Sequence, residues 1–433
     1  MSSWCDSHHR INNDDSMPDG QIVRRGRLRP DHSPQGSKTS KSVERIVDRK
    51  VVNNYILIAI IFIDSTSYAL VLPLLPALLH QYEASGLIGG ILIASYACAA
   101  AISSPILGYL SDRYGRRPVL IVSLIGSVIA HLVFAFSASV TWFLCSRIMA
   151  GAMAGNIGVV EAAIADQTAQ TSRAIAMGRV MAAWALGFVV GPALNLVVPL
   201  DGARIAFWPG MVAAGLATLA VVACSVGLFD DHRASPDRMD FRAGRKAATR
   251  NLSSIVVFGV LALVQSGVVA MTGFWSERTF GWGPREVSLL FLWTAVCIIV
   301  FQTVILPATT NRFGELKTLY VGLSISIFCL AGLLAGHSSA IIFIAFGPLL
   351  ICGITLAQAI FMSMISASVD ISLRGALIGV ANLSKNIGRI VGPIVLGFVF
   401  SGIGPIYIYV FSISVLSLSV LFFISSGARA RST

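Results

Sequence analysis

From about residue 55 to the end of the chain, long uncharged apolar runs alternate with short polar intervals. Residues 118–138, 205–229 and 405–426 are clear cases. Runs of ~18 or more uncharged residues, neither alternating nor following an amphipathic stripe, are the mark of helices that cross a bilayer. Read this way, the chain predicts spans at 55–79, 86–107, 118–138, 142–164, 176–198, 204–228, 252–274, 287–308, 318–336, 339–363, 375–400 and 405–426. Within hydrocarbon each backbone amide must be satisfied inside its own segment, and uniformly apolar runs lack the polar lumen face of barrel strands. The expected fold is therefore all-α, an integral membrane protein of twelve helices.

The longest polar interval between spans is 230–251, and it divides them six and six. The halves share a pattern: Gly178, Gly187, Gly191 and Pro192 recur with the same internal spacing as Gly379, Gly388, Gly392 and Pro393. A weaker match pairs Asp112-Arg113-Tyr114-Gly115 with Asn311-Arg312-Phe313-Gly314, each after the second span of its half. Duplication of a six-helix unit, with a substrate site between the copies near the bilayer midplane, is a common plan for secondary transporters. The expected organisation is a disordered cytoplasmic tail (1–54), a bundle (55–229), a cytoplasmic linker (230–251), a second, pseudo-symmetric bundle (252–426) and a cytoplasmic tail (427–433).

Composition agrees: 55% of the residues are hydrophobic and 12% charged, against the ~45–50% apolar content of ordinary soluble domains. The net charge of +11 could indicate a nucleic-acid partner, but its distribution follows topology. Arg113, Arg116, Arg117, Arg233, Arg245 and Lys246 fall in loops on one side, and Arg204, Arg278 and Arg285 on the other. This is the positive-inside asymmetry, and it places both termini in the cytoplasm of a plasma or bacterial inner membrane. The polar tail, with Arg24, Arg25, Arg27 and Arg29 among prolines and glycines, is a solvated topogenic segment or a contact for anionic lipid heads. Six of the seven cysteines (Cys98, Cys145, Cys224, Cys297, Cys329 and Cys352) fall in predicted spans without a CxxC pair, and the histidines show no ligand spacing. No metal and no cofactor are expected.

Several motifs carry chemistry. Between spans 2 and 3, Gly108, Asp112, Arg113, Gly115, Arg116, Arg117 and Pro118 form a tight basic loop with one acid. It resembles the signature loop of the major facilitator superfamily. That resemblance implies that Asp112 sits at the positive N-terminal end of helix 11 in the other half, pairs with loop arginines and latches the cytoplasmic side. The Gly178, Gly187, Gly191 and Pro192 set resembles the fifth-helix motif of the antiporter branches, whose small residues let helices pack closely and whose proline permits a bend. Here Ala193, Leu194 and Asn195 follow where that pattern has glycines.

Span 4 carries Arg147, Gly151, Gly155, Asn156 and Glu161, and span 1 carries Asp64 with Pro73 and Pro76. Both resemble the tetracycline-exporter-like drug:proton antiporters, although that branch has a small residue at Glu161 and an acid in helix 3 where Ala130 stands. An arginine in an apolar span either faces a polar cavity or snorkels to the interface. Asp64, some nine residues into its span, is costly to charge at that depth and so is suited to taking up and releasing a proton; the alternative is permanent neutralisation by a cation. Lys385 and Arg389 lie on one face of span 11; they pair with Asp64 or Glu161, or receive an anionic substrate. Gln265 and Gln358 either line the same cavity or hydrogen-bond helix to helix.

The resemblance covers about residues 55–426. It implies two six-helix bundles rocking about a central cavity, a monomer whose partners are a small-molecule substrate, protons and membrane lipids, and efflux of a small hydrophobic or amphipathic drug-like molecule driven by proton influx. Asp64 is the first choice for the proton-coupling group. Uptake of a nutrient or siderophore by the same fold, or a non-transporting receptor, are the alternatives; nothing in the motifs points to an enzyme.

Overall fold

The computed structural model describes residues 35–168, 173–200, 205–227, 249, 251–368 and 371–432. Among them twelve helices are long and apolar enough to cross a membrane: α1 (Val52–Gln81), α2 (Gly86–Tyr114), α3 (Arg116–Ala135), α4 (Val140–Ile164), α5 (Ala176–Leu194), α6 (Phe207–Gly227), α7 (Leu252–Phe280), α8 (Pro284–Phe313), α9 (Glu315–Ala335), α10 (Ala340–Ala367), α11 (Leu377–Ile403) and α12 (Tyr407–Ser426). The described residues contain no strand. The all-helical, twelve-span expectation holds, with boundaries displaced by a few residues.

Most of the tail 1–54 and of the linker 230–251 lies outside the described residues. The first helix begins at Gln35 and runs to Val71, and the final helix continues to Ser432. No proline or glycine lies between Gly36 and Val52, so nothing in that stretch breaks a helix once it has nucleated.

The halves pack alike. In the first, α2 lies on α4, α3 on α4, and α3 on α6; in the second, α8 lies on α10, α9 on α10, and α9 on α12. The halves meet where α2 packs on α11 and α8 on α5, two seams that the repeat interchanges. The duplicated loops share a backbone reason for their glycine. Gly115 (φ 100°) and Gly314 (φ 81°) end α2 and α8 in a conformation that costs other residues energy. Each preceding arginine covers its aromatic neighbour, Arg113 over Tyr114 at 5.5 Å and Arg312 over Phe313 at 5.4 Å.

Prolines and glycines interrupt the spans. Pro73 and Pro76 shift α1 into a 3-10 turn at Leu72–Leu74. α4 turns at Gly155, and α8 and α11 each contain one π-helical turn, at Phe301–Ile305 and Val399–Ile403. Such turns leave carbonyls free for partners on other helices.

The two ends of the seam between halves differ. At the end formed by the C-terminal parts of α1 and α11, a side chain on Gly90 would collide with the Pro393 carbonyl, and one on Gly397 would come within 2.9 Å of the Gly86 carbonyl. The Leu87 amide there donates to Ser401 Oγ at 3.0 Å. Leu70, Leu74, Leu79, Leu92, Phe274 and Leu396 join one buried cluster spanning both halves. Toward the other end, residues 97–110 of α2, 178–186 of α5 and 300–313 of α8 are largely half-buried or exposed. One end is closed and the other open.

Candidate functional site

The interior between the halves is built from α1, α2, α4, α5 and α11. Glycines set how closely these helices approach. Gly187 and Gly191 press on the α1 backbone and side chains from Ser65 to Leu70, and their repeats Gly388 and Gly392 press on α7 from Gly259 to Ser266. Gly151 lies on the Tyr96 carbonyl and Gly155 on Ser103 and Ser104, drawing α4 onto α2. Small residues spaced by four allow such contacts. Gly178 and Gly379, the first members of the repeated motif, have open space around them.

This packing places Asp64, half-buried, one turn before Tyr68 on α1. Tyr68 stacks on Tyr96 of α2 with ring centroids 4.5 Å apart and on Phe188 of α5 at 5.9 Å, and Phe188 stacks on Trp184 at 4.4 Å. The Tyr96 hydroxyl lies within electrostatic reach of Asp64, Tyr68, Arg147 and Arg389. Tyr96 thus lies within reach of an acid of the first half and a cation of the second. No lysine or arginine among the described residues forms an ion pair with Asp64 within 4 Å.

Arg147 is 2% exposed, with its guanidinium carbon 5.4 Å from the Tyr96 ring centre and 6.0 Å from that of Phe143. Its Nε and Nη2 have no hydrogen-bond partner among the described residues. Ring faces supply part of what water would, which is how a buried arginine is held without an acid. It is drawn inward rather than snorkelling. Asn156 is fully buried with both amide atoms unpartnered, and His131 is buried beside Arg147.

Lys385 and Arg389 lie one turn apart on α11, with the Lys385 ammonium 5.9 Å from the Phe258 ring centre. Across the gap Glu161 of α4 attracts Lys385 without direct contact. Of the acids open to Lys385 from sequence, Glu161 lies within its electrostatic reach. The amide of Gln358 donates to Gln265 Oε1 at 3.0 Å, joining α10 to α7. Those two residues therefore brace helices.

At the basic loop, Arg116 pairs with Asp112 at 2.7 Å and donates to Ser111 Oγ at 2.5 Å, while Arg117 donates to the Ser225 carbonyl at the end of α6. Asp112 is exposed. Its partner in this arrangement is an arginine of its own loop.

Residues that patterning alone does not single out complete the site. Asn195, fully buried just past α5, donates to the Leu70 carbonyl at 2.9 Å and to Ser288 Oγ of α8 at 3.3 Å, linking the halves at the closed end. The shift to 3-10 geometry at Leu72 releases that carbonyl from its helical partner. Tyr68, Tyr96, Trp184 and Phe188 read in sequence as ordinary apolar-span residues. The spacing of Trp184 and Phe188, one turn apart beside the Gly187 motif, was the available signal.

Comparison with known proteins bears on this geometry. The family model described as Major Facilitator Superfamily matches residues 57–393. The tetracycline resistance protein, class H, of Pasteurella multocida is 26% identical over 365 residues, covering 80% of this chain and 88% of that one. Multidrug resistance protein 2 of Bacillus subtilis (strain 168) is 26% identical over 362 residues, covering 80% and 88%. Among solved structures, a bacterial homologue of the human lysosomal transporter Spinster, in an inward-facing and unoccupied conformation, superposes with a TM-score of 0.69 at 14% identity over 87% of this chain and 97% of that one.

Proposed function

The chain belongs to the Major Facilitator Superfamily, and from that premise we propose that it exports small amphipathic, drug-like molecules in exchange for protons, with Asp64 as the group that carries the proton. The membrane transporters to which it is similar include tetracycline and multidrug resistance proteins, which supports efflux as the direction. The observation that carries the reading is the placement of Asp64. It is an acid in an apolar span, without an ion-pair partner among the described residues, and its neighbour Ser65 packs on Gly187 of the seam helix α5.

Exchange requires that proton and substrate not be bound together. A carboxylate that holds either a proton or a polar group of the substrate meets that requirement by mutual exclusion, which is a coupling free energy between two ligands at one site. The groups around Tyr96 of α2 bear on the balance: Asp64 and Tyr68 of α1, Arg147 of α4 and Arg389 of α11 all lie within its electrostatic reach. The loop arginines Arg113, Arg116 and Arg117 lie at the open end, so the positive-inside rule makes that end cytoplasmic. The structure is then the inward-open member of the cycle. Asp112, Arg116 and Arg117 are the groups that would rearrange when that end closes, and the two tight seams would part at the other.

A test of direction uses cells that express the chain and a fluorescent lipophilic dye. Export predicts that a protonophore raises retained dye several-fold above untreated cells. A fall in retained dye would instead establish uptake, the alternative that the cationic face of α11 supports for an acidic substrate.

A further inference from the structure

Inside the second half, away from the seam, lies a void enclosed by α7, α8, α9, α10 and α12. None of the helices that carry Asp64, Tyr96, Arg147 or Lys385 contributes to its lining. The face of α7 that meets the other half is marked by Gly273, since a side chain there would come within 2.5 Å of Pro76 Cγ. Trp275 stands two residues further on, about 200° round the helix, and turns to the void with Thr272. On the opposite wall is Gly347 of α10, where an added side chain would meet nothing within 4 Å.

The lining is apolar except for Thr272, Trp275, Thr294 and Tyr409, and none of it is charged. Both threonine hydroxyls donate to carbonyls of their own helices, Thr272 to Val268 at 2.8 Å and Thr294 to Leu290 at 2.7 Å. Their oxygens are left as acceptors. The Trp275 indole is 2% exposed, and its Nε1–H has no hydrogen-bond partner among the described residues. The Tyr409 ring lies edge to face with it at 4.9 Å, but a ring face is a weak acceptor. A buried donor without an acceptor is costly, so an oxygen brought to it is gained in full.

We propose that this void is a binding site for a small neutral alcohol, whose oxygen accepts from Trp275 Nε1–H and whose hydroxyl donates to Thr272 Oγ1, one turn away on the same helix face. The volume sets the size. Counted over the centres of water-sized spheres it is ≈ 30 Å³, against the ~10–15 Å³ that one water needs. That admits an alcohol of two or three carbons, far smaller than a drug. The lining sets the chemistry. An ion would meet no countercharge, water would face hydrocarbon on most sides where it needs two to four polar partners, and a hydrocarbon would leave the indole unsatisfied. An alcohol has one end for each part of the wall.

The indole proton reports directly on this contact. The full chain is prepared in detergent with isotope-labelled tryptophan, and the indole N–H resonances of its seven tryptophans are followed while 1-propanol is added. The Trp275 signal is identified by its loss in Trp275→Phe. It is expected to move downfield along a saturating curve, half-complete at about millimolar concentration or above, the limit for so few atoms, while the other indoles drift linearly. 1-Chloropropane, which lacks the hydroxyl, should produce no downfield movement. Gly347→Leu, which fills the void from α10, should abolish the saturating shift.

A Trp275 signal that follows the other indoles, or that moves alike with 1-propanol and 1-chloropropane, would overturn the proposal in the unmodified protein, whatever the variants do. A resonance already downfield and unmoved by the alcohol would overturn it too, because water then holds the site. So would a saturating shift that persists in Gly347→Leu.

Discussion

Asp64→Asn is expected to remove gradient-driven transport, by on the order of a hundredfold, equivalent to about 2.7 kcal/mol of coupling. Asparagine keeps the shape and the hydrogen-bonding capacity of the acid but cannot exchange a proton. Folding should not suffer, because an acid at the centre of a span costs roughly 3 kcal/mol to insert, and Asp64 has no ion-pair partner among the described residues that the change would strand. The decisive measurement compares two assays on the same liposomes. Counterflow, in which labelled and unlabelled substrate exchange without a gradient, should persist because it needs only the substrate to be carried. Accumulation against a gradient should vanish, and with it the dependence of rate on pH. Accumulation that survives in the variant would take Asp64 out of the coupling role.

The second large effect is structural and divides the repeated glycine motif by position. Gly191→Val and Gly392→Val are each expected to cost about 3 kcal/mol or more, with a sharp loss of folded protein after detergent extraction. A side chain on Gly191 would meet the Thr66 carbonyl at 2.6 Å and the Leu70 amide at 2.8 Å, and one on Gly392 would come within 3.0 Å of the Leu263 carbonyl carbon. These are backbone obstacles, so relief requires helices α5 and α11 to move from α1 and α7. Gly178→Ala and Gly379→Ala serve as the contrast. Nothing lies within 4 Å of a side chain at either position, and alanine favours a helix over glycine by about 0.8–1 kcal/mol. These two variants should melt at or above the temperature of the parent protein. If all four glycines tolerate substitution alike, the close packing described for the motif is not what the motif is for.

The outline of the fold was legible because it is written in long-range averages. Uninterrupted apolar runs mark spans regardless of what they touch, and the duplication of Gly187 and Gly191 as Gly388 and Gly392 exposes the repeat through spacing alone. The site was legible only as single charged positions. Asp64, Arg147, Glu161, Lys385 and Arg389 stand out because charge inside a span is expensive. Which of them meet depends on how two half-chains are brought together, and periodicity within one helix carries no such information. Hence Lys385 was left with two possible acids, of which Glu161 lies within its electrostatic reach. Tyr68 and Tyr96 escaped notice since a tyrosine in a span is unremarkable until its ring is seen against another. Asn195 was read as a departure from a glycine pattern, whereas its amide occupies a carbonyl set free by a proline turn in a different helix.

The unlike ends of the seam have a consequence for how the resting balance responds to solution conditions. Closure at the Gly90 and Pro393 end is a fit of bare backbone surfaces helped by neutral hydrogen bonds from Leu87 and Asn195. Fewer charges lie at that end, where Glu277 of α7 is within electrostatic reach of His80 of α1. The opposite end carries Asp112, Arg113, Arg116, Arg117, Arg312 and Lys317, charges whose mutual forces fade beyond about 8 Å at physiological ionic strength. Added salt should therefore act more strongly on the tendency of that end to shut, so that electrolyte on one face of the membrane tunes the cycle more than electrolyte on the other.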